Sequence, residues 1–121
     1  MQITTKATGL VITPAIEAYI AEKFAVLSKF INSKDTSAEG QVEVGKTTRH
    51  HKSGNVFRAE ISLHIAGKDF WTEQTADELY IAIDKVRDEI VRMLHAHKAK
   101  QTEQKRTGGR TAKKMMRWLG K

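Results

Sequence analysis

The sequence predicts a single α+β domain, a two-layer sandwich with two helices on one face of a four-stranded sheet, in the order β-α-β-β-β-α. Three observations support this prediction. A chain of 121 residues suits one hydrophobic core of ordinary size. Two segments place apolar residues at helical spacing. Four shorter segments alternate apolar with polar residues, as half-buried strands do.

The composition excludes several classes of protein. Hydrophobic residues make up 40% of the chain and charged residues 29%, with a mean hydropathy of -0.48, which is typical of a soluble globular domain. No apolar run approaches the ~18 residues that a membrane span needs, so we expect no membrane partner. Cysteine is absent, which excludes a disulfide framework and a thiolate metal site and makes a cytoplasmic location the default expectation.

The first strand and the first helix follow from local pattern. Ile3, Thr5 and Ala7 alternate with polar neighbours, which predicts an opening strand. Thr13 and Pro14 then supply an N-cap and a residue suited to the first helical position, so we expect a helix over about 14–31. Its apolar stripe comprises Ile16, Tyr19, Ile20, Phe24, Leu27, Phe30 and Ile31.

Three further strands are expected in the middle of the chain. Val42 and Val44 alternate with polar residues, and residues 57–65 alternate strictly. Residues 46–55 between them form a loop with three cations, two histidines and no acid. Residues 66–69 predict a tight turn into a fourth strand at about 70–72.

The second helix is predicted over about 76–99. Thr75 and Glu78 match a capping box, in which each side chain satisfies a backbone donor of the other residue. The apolar positions that follow form one stripe at ~100° per residue, which would cover the sheet. They are Leu79, Ile83, Val86, Ile90, Met93, Leu94 and His97.

The positive charge is concentrated at the C-terminal end. Residues 1–97 have 12 Lys/Arg against 13 Asp/Glu, whereas residues 98–121 have 9 against one. We therefore expect a domain over 1–99 and a flexible basic tail over 100–121, which either favours solubility or becomes ordered on nucleic acid. In the second case the contacts would come from Lys105, Arg106, Arg110, Lys113, Lys114, Arg117 and Trp118, with the indole stacking on a base or packing.

No arrangement of residues indicates catalysis. His95 and His97 point about 200° apart on the predicted helix, so they cannot act as a local pair. His50 and His51 lie in a loop without an Asp, Glu or Cys at metal-ligand spacing. No phosphate-binding loop or nucleophile motif occurs, and we expect neither an enzyme, nor a cofactor, a metal or a small-molecule substrate.

The net charge of +7 makes an anionic partner the first hypothesis. The candidate contacts outside the tail are Lys23, Lys46, Arg49, Lys52, Lys85, Arg87, Arg92, Lys98 and Lys100. An alternative holds for two of them. Lys85 would pair with Glu89, and Arg92 with Asp88, as exposed ion pairs that contribute only tenths of a kcal/mol.

Arg87 and Lys98 have no acid at helical spacing that would clearly bind them, so the ion-pair alternative is weaker there. Lys23 is unusual because its helical angle places it in the apolar stripe between Ile16 and Leu27. A lone charge is costly to bury at such a position. Either the Lys23 stem extends along the helix to water, or the stripe borders a groove that needs a cation.

Three stretches resemble the ribosome hibernation-promoting factor and ribosome-associated inhibitor family. They are Ile12-Thr13-Pro14-Ala15-Ile16, Phe57-Arg58-Ala59-Glu60-Ile61 with His64 and Gly67, and Leu79-Tyr80-Ile81-Ala82-Ile83-Asp84. With Arg92, Leu94 and His97-Lys98, the resemblance spans about residues 1–100.

The resemblance implies a fold like that of a double-stranded-RNA-binding module, docked as a monomer between head and body of the small ribosomal subunit. There it would occupy mRNA and tRNA positions under stress or slow growth, with basic side chains on rRNA and possible contacts to ribosomal proteins. Lys23, Arg92 and Lys98 match basic positions of the family, whereas Glu89 stands where relatives often carry lysine.

The chain is expected to be a short form, because it ends before the second, dimerisation domain of long forms. The resemblance implies two kinds of short form: some have a bare end and support the pairing of ribosomes, and others have a tail along the mRNA path and disfavour it. The tail here has the length of the second kind but is basic, whereas such tails often end acidic, so both subtypes stay open. The alternatives to a hibernation factor are a general RNA-binding module and a small protein-interaction domain with a basic tail. A hydrolase is a distant third.

Overall fold

The computed structural model describes residues 2–32, 34–48 and 55–119, with side chains at 2–32, 34–47 and 56–101. The order β-α-β-β-β-α is confirmed. The elements are β1 Gln2–Thr8, α1 Pro14–Phe24, a 3₁₀ helix Ala25–Phe30, β2 Glu39–Thr48, β3 Asn55–Ile65, β4 Lys68–Ala76 and α2 Leu79–Leu119.

The four strands form one mixed sheet in the spatial order β1-β2-β3-β4. β1 runs parallel to β2, since α1 lies between them in the chain and returns it to the same end of the sheet. β2, β3 and β4 are antiparallel neighbours. The β3–β4 hairpin turns at Ala66 and Gly67, whose positive φ angles of 51° and 74° suit a two-residue turn.

The core lies between one face of the sheet and the apolar stripes of the helices. Val42, Ile61 and Leu63 are among the buried sheet residues, and their neighbours along each strand point to the other face. The helices contribute Ile20, Phe24, Leu27, Leu79, Ile83, Val86, Ile90 and Leu94 as buried side chains. Met93 and His97 of the predicted stripe are half-buried. The predicted α+β class with one covered sheet face is therefore confirmed.

The first helix begins as predicted and ends differently. Thr13 is the N-cap, and its Oγ1 accepts a hydrogen bond from the Ile16 amide at 3.2 Å. The α-helix ends at Phe24, and the chain continues as a 3₁₀ helix to Phe30 rather than as an α-helix to residue 31. Within that turn the Ser28 hydroxyl donates to the Ala25 carbonyl at 2.9 Å, a local bond that competes with α-helical geometry.

The predicted capping box at Thr75 is wrong. β4 extends to Ala76, where Thr75 pairs with Arg58 of β3, so the backbone at residue 75 belongs to the sheet. The helix begins at Leu79, and the Glu78 carbonyl accepts its first bond, from the Ala82 amide at 3.1 Å. Pairing with β3 has overridden a local helix signal.

α2 continues to Leu119, well past the predicted end near residue 99. The hydrophobic periodicity ends at Lys100, but residues 98–106 are mostly Lys, Gln, Ala, Glu and Arg, which favour helix without an apolar stripe. The division into a domain over 1–99 and a flexible tail over 100–121 stays a prediction.

Two compact units make up the chain, Met1–Val91 and Arg92–Lys121. The first contains the sheet, α1 and the first turns of α2, with 11 Lys/Arg and 13 Asp/Glu. The second is helical over 92–119, with 10 Lys/Arg and one Glu. Among the described residues, no helix combines the length and apolar character that crossing a membrane requires.

Candidate nucleic-acid interface

A polar and aromatic cluster joins α1 to the start of α2. The Tyr19 hydroxyl donates to Asp84 Oδ1 at 2.6 Å, and the Lys23 ammonium lies 3.6 Å from the same oxygen. The ring of Tyr80 meets that of Tyr19 edge to face, with the centroids 4.6 Å apart. We call these four residues the Tyr19–Asp84 cluster.

Helical spacing explains how the cluster forms. Tyr19 and Lys23 are four residues apart on α1, and Tyr80 and Asp84 are four apart on α2, so each pair projects from one side of its helix. The bond to Asp84 raises the pKa of Tyr19 to about 12, with burial adding to the effect. The phenol therefore stays a hydrogen-bond donor at neutral pH.

The Lys23 side chain extends from the apolar stripe to the edge of the helix, so its charge is not buried in the core. Its side chain is 36% exposed, and the ammonium lies both beside Asp84 and 5.3 Å from the centroid of the Tyr19 ring. This is the extended arrangement that the sequence offered as one alternative, with an acidic partner added. Tyr80, whose ring contacts that of Tyr19, remains 41% exposed.

Two helix cations in the first unit have partners other than those expected. The Lys85 ammonium donates to the Thr75 carbonyl oxygen at 3.1 Å, a contact that exists because β4 is longer than predicted. Arg87 pairs with Asp88, its neighbour in sequence, at 2.8 Å. Asp88 is adjacent to Arg87 in the sequence rather than at helical spacing, so this ion pair was not among the expected ones.

The remaining candidates divide by how far the structure describes them. Lys46 is exposed on β2, with its ammonium 6.0 Å from the Phe57 ring centroid. Arg92, Lys98 and Lys100 are exposed on α2. Arg49 and Lys52 lie outside the described residues. For the tail candidates the backbone is helical and the side chains lie outside the described part: Lys105, Arg106, Arg110, Lys113, Lys114, Arg117 and Trp118.

A second charged network lies on the opposite face of the sheet. The Arg58 guanidinium is 3.1 Å from Glu43, 2.9 Å from Glu60 and 3.6 Å from Glu73. The hydrogen bond from Arg58 lowers the pKa of Glu43, and a second hydrogen bond, from the Thr8 hydroxyl, lowers it further. Arg58 is thus held by carboxylates within the domain, which explains why it is a poor candidate for an anionic partner.

Tyr19, Tyr80 and Asp84 were not among the candidate site residues predicted from the sequence. Tyr19 was assigned to the core stripe, and the other two were noted only as part of a motif. The available signal was an aromatic residue four positions before a charged one on both helices. That spacing does not show that Tyr19 of α1 contacts Tyr80 and Asp84 of α2.

A mixed four-stranded sheet covered on one face by two helices, with cations and tyrosines at the helix edge, defines a small α+β binding domain. Among the described residues no group of three or more His, Asp or Glu is arranged to hold a metal ion. Residues 2–102 match the family described as Sigma 54 modulation protein / S30EA ribosomal protein, and the chain belongs to that family.

Named relatives agree with this assignment. The chain is 30% identical over 106 residues to a ribosome hibernation promoting factor of Acinetobacter guillouiae, covering 85% of this chain and 92% of the relative. It is 28% identical over 103 residues to the protein of the same name in Azotobacter vinelandii, covering 85% and 88%. The family resemblance read from the sequence is confirmed.

Solved structures support the fold. The N-terminal domain of Thermus thermophilus Protein Y superposes with a TM-score of 0.61 at 27% identity, covering 78% of this chain and 96% of that domain. A ribosomal subunit interface protein from Coxiella burnetii gives a TM-score of 0.60, covering 82% and 99%. At 15% identity the second match concerns the fold alone.

Proposed function

We propose that this protein is a cytoplasmic hibernation factor that binds rRNA of the small ribosomal subunit and occludes the mRNA and tRNA positions under stress or slow growth. The observation that carries the proposal is the family match over residues 2–102, together with relatives named for ribosome hibernation. The chain would act as a monomer on the ribosome, with ribosomal proteins as possible secondary contacts.

The charge distribution supports RNA as the ligand. The unit Arg92–Lys121 carries 10 Lys/Arg and one Glu, so its formal charge is +9, whereas Met1–Val91 has a formal charge of -2. A helix with this charge attracts a phosphate backbone and releases condensed counterions on binding. Inhibition by occupancy needs no catalytic group.

The Tyr19–Asp84 cluster supplies a second kind of contact. The Lys23–Asp84 pair is partly exposed at 3.6 Å, and such a pair costs little to exchange for a phosphate contact. The exposed ring of Tyr80 offers an aromatic surface for a sugar or an unstacked base. Asp84 would keep Lys23 and Tyr19 oriented until RNA arrives.

Sedimentation with purified small subunits over a range of salt concentrations tests the proposal. We expect the logarithm of the association constant to fall linearly with the logarithm of salt concentration, with roughly 0.7–0.9 units of slope for each phosphate neutralised. An unrelated structured RNA serves as the competitor. Equal affinity for that RNA would favour a general RNA-binding module, and binding that ignores salt would contradict the RNA contact.

A further inference from the structure

The open face of the sheet, opposite the helices, is acidic. Its outward positions include five carboxylates and two permanent cations, a formal balance of -3. The carboxylates are Glu39, Glu43, Glu60, Asp69 and Glu73, and the cations are Lys6 and Arg58. This face therefore differs in charge from the basic helix that we assign to RNA, and it would repel a phosphate backbone.

The carboxylates on this face are not equally engaged. At one end of the strands Arg58 forms ion pairs with three of them, Glu43, Glu60 and Glu73. At the other end Glu39 and Asp69 flank His64, their neighbour in the β2–β3–β4 register. Asp69 lies 2.7 Å from His64 Nδ1, and this contact raises the pKa of His64, with Glu39 and Asp35 adding to the effect.

A large aromatic side chain lies beside this acidic end. Trp71 is 55% exposed on β4, which is an edge strand and gives it a cross-strand neighbour on one side only. That neighbour is Ser62, and the row continues through Gln41 to Thr4. Because these side chains are short or polar, a groove of about 460 Å³ opens next to the indole, bordered also by Glu39 and Asp69.

We propose that this Trp71 groove binds a basic segment of a partner protein, through an arginine or lysine side chain of that segment. A guanidinium or ammonium can lie on the indole face while it pairs with Glu39 or Asp69. The amide and hydroxyl groups of Gln41 and Ser62 offer acceptors to the same cation. Tryptophan is also among the residue types enriched at protein interfaces.

The full chain titrated with a short amidated peptide of alternating Arg and Gly tests this inference, with the Glu-Gly peptide as the charge control. Nuclear magnetic resonance of the Trp71 indole N–H reports on the site directly. We expect a saturable shift with the Arg peptide alone. By calorimetric titration, which needs no indole signal, Trp71→Ala should weaken binding by roughly fivefold, the upper end for an exposed cation–aromatic contact, and Trp71→Phe should restore part of the loss.

Matched carboxylate variants keep the test valid if Trp71→Ala fails to fold. Glu39→Gln and Asp69→Asn remove a negative charge from the groove, whereas Glu17→Gln removes one from the exposed first turn of α1. We expect only the groove variants to weaken binding. An equal effect of Glu17→Gln, or binding that leaves the Trp71 signal unmoved, overturns the proposal.

Two further outcomes would name a different occupant and so overturn the proposal as stated. One is a shift of the Trp71 signal by an RNA hairpin instead of the peptide. The other is concentration-dependent self-association that Trp71→Ala abolishes, which would identify a second copy of the chain. The peptide experiment does not involve ribosomes, so it can fail while the proposed function stands.

Discussion

The two units of the chain differ in what holds them together and in charge. Met1–Val91 has long-range strand pairing, with Val42 of β2 opposite Ile61 of β3, and its acids and bases almost balance. Arg92–Lys121 is helical over its described residues and carries a formal charge of +9. In a protein of this size the strand pairing and the excess positive charge thus lie in separate stretches of sequence.

Core truncation in the first unit should have the largest effect on stability. Ile83 is fully buried on α2, so Ile83→Ala should lower the free energy of unfolding by ~2 to 5 kcal/mol. Ile81 lies on the same helix at 44% exposure, so Ile81→Ala is a matched control with an expected change within about 0.5 kcal/mol. Urea unfolding measures both. Similar losses would mean that burial does not govern stability here.

Truncation after Lys100 tests the second unit. It removes seven Lys/Arg and one Glu, and the buried core residues among the described positions all precede the cut. We expect the shortened chain to fold and to bind small subunits more weakly, with the salt slope shallower by up to about five. Unchanged affinity and slope would leave the tail with a role in solubility only.

Replacing Trp118 tests the role of the tail without altering its charge. If the tail becomes ordered on RNA with its indole stacked, Trp118→Ala should weaken binding by ~1 to 3 kcal/mol in the full chain. Equilibrium binding to small subunits is the measurement. Binding as tight as that of the parent would show that the Trp118 ring does not stack on RNA.

The sequence predicted those parts of the fold that depend on near neighbours. Alternation identified β3, and the Thr13-Pro14 pair identified the start of α1. The end of β4 was not predicted, because pairing with β3 determines where that strand ends. The bond between Tyr19 and Asp84 was missed because the two residues are 65 positions apart. The Arg58 network likewise requires the strand register, which local pattern does not supply.

Replacing Arg87, Arg92 and Lys98 together by Ala tests whether α2 contributes to affinity before the tail. All three have partly or fully exposed side chains, so the fold should remain intact while ribosome binding weakens. To contact RNA, Arg87 would exchange its ion pair with Asp88 for a phosphate. Lys29→Ala with Lys34→Ala removes exposed cations of the first unit as a control. Equal losses in both variants would point to net charge alone.

The smallest expected effect is a pH dependence within the first unit. Asp84→Asn should lower the pKa of Tyr19 from about 12 toward its usual value near 10. Because the folded state raises this pKa, the parent gains stability that is present below about pH 10 and lost as pH rises toward 12. Ultraviolet titration of the phenol checks the shift. Asp77→Asn, which removes an exposed carboxylate, should leave it unchanged.

Competition on purified small subunits tests the central proposal most directly. Labelled mRNA and initiator tRNA would be bound to subunits, and the full chain added to saturation at low and moderate salt. We expect both ligands to be displaced, and displacement to weaken as salt rises because the competing contacts are to phosphates. Full retention of mRNA and tRNA on subunits saturated with the protein would contradict the proposal.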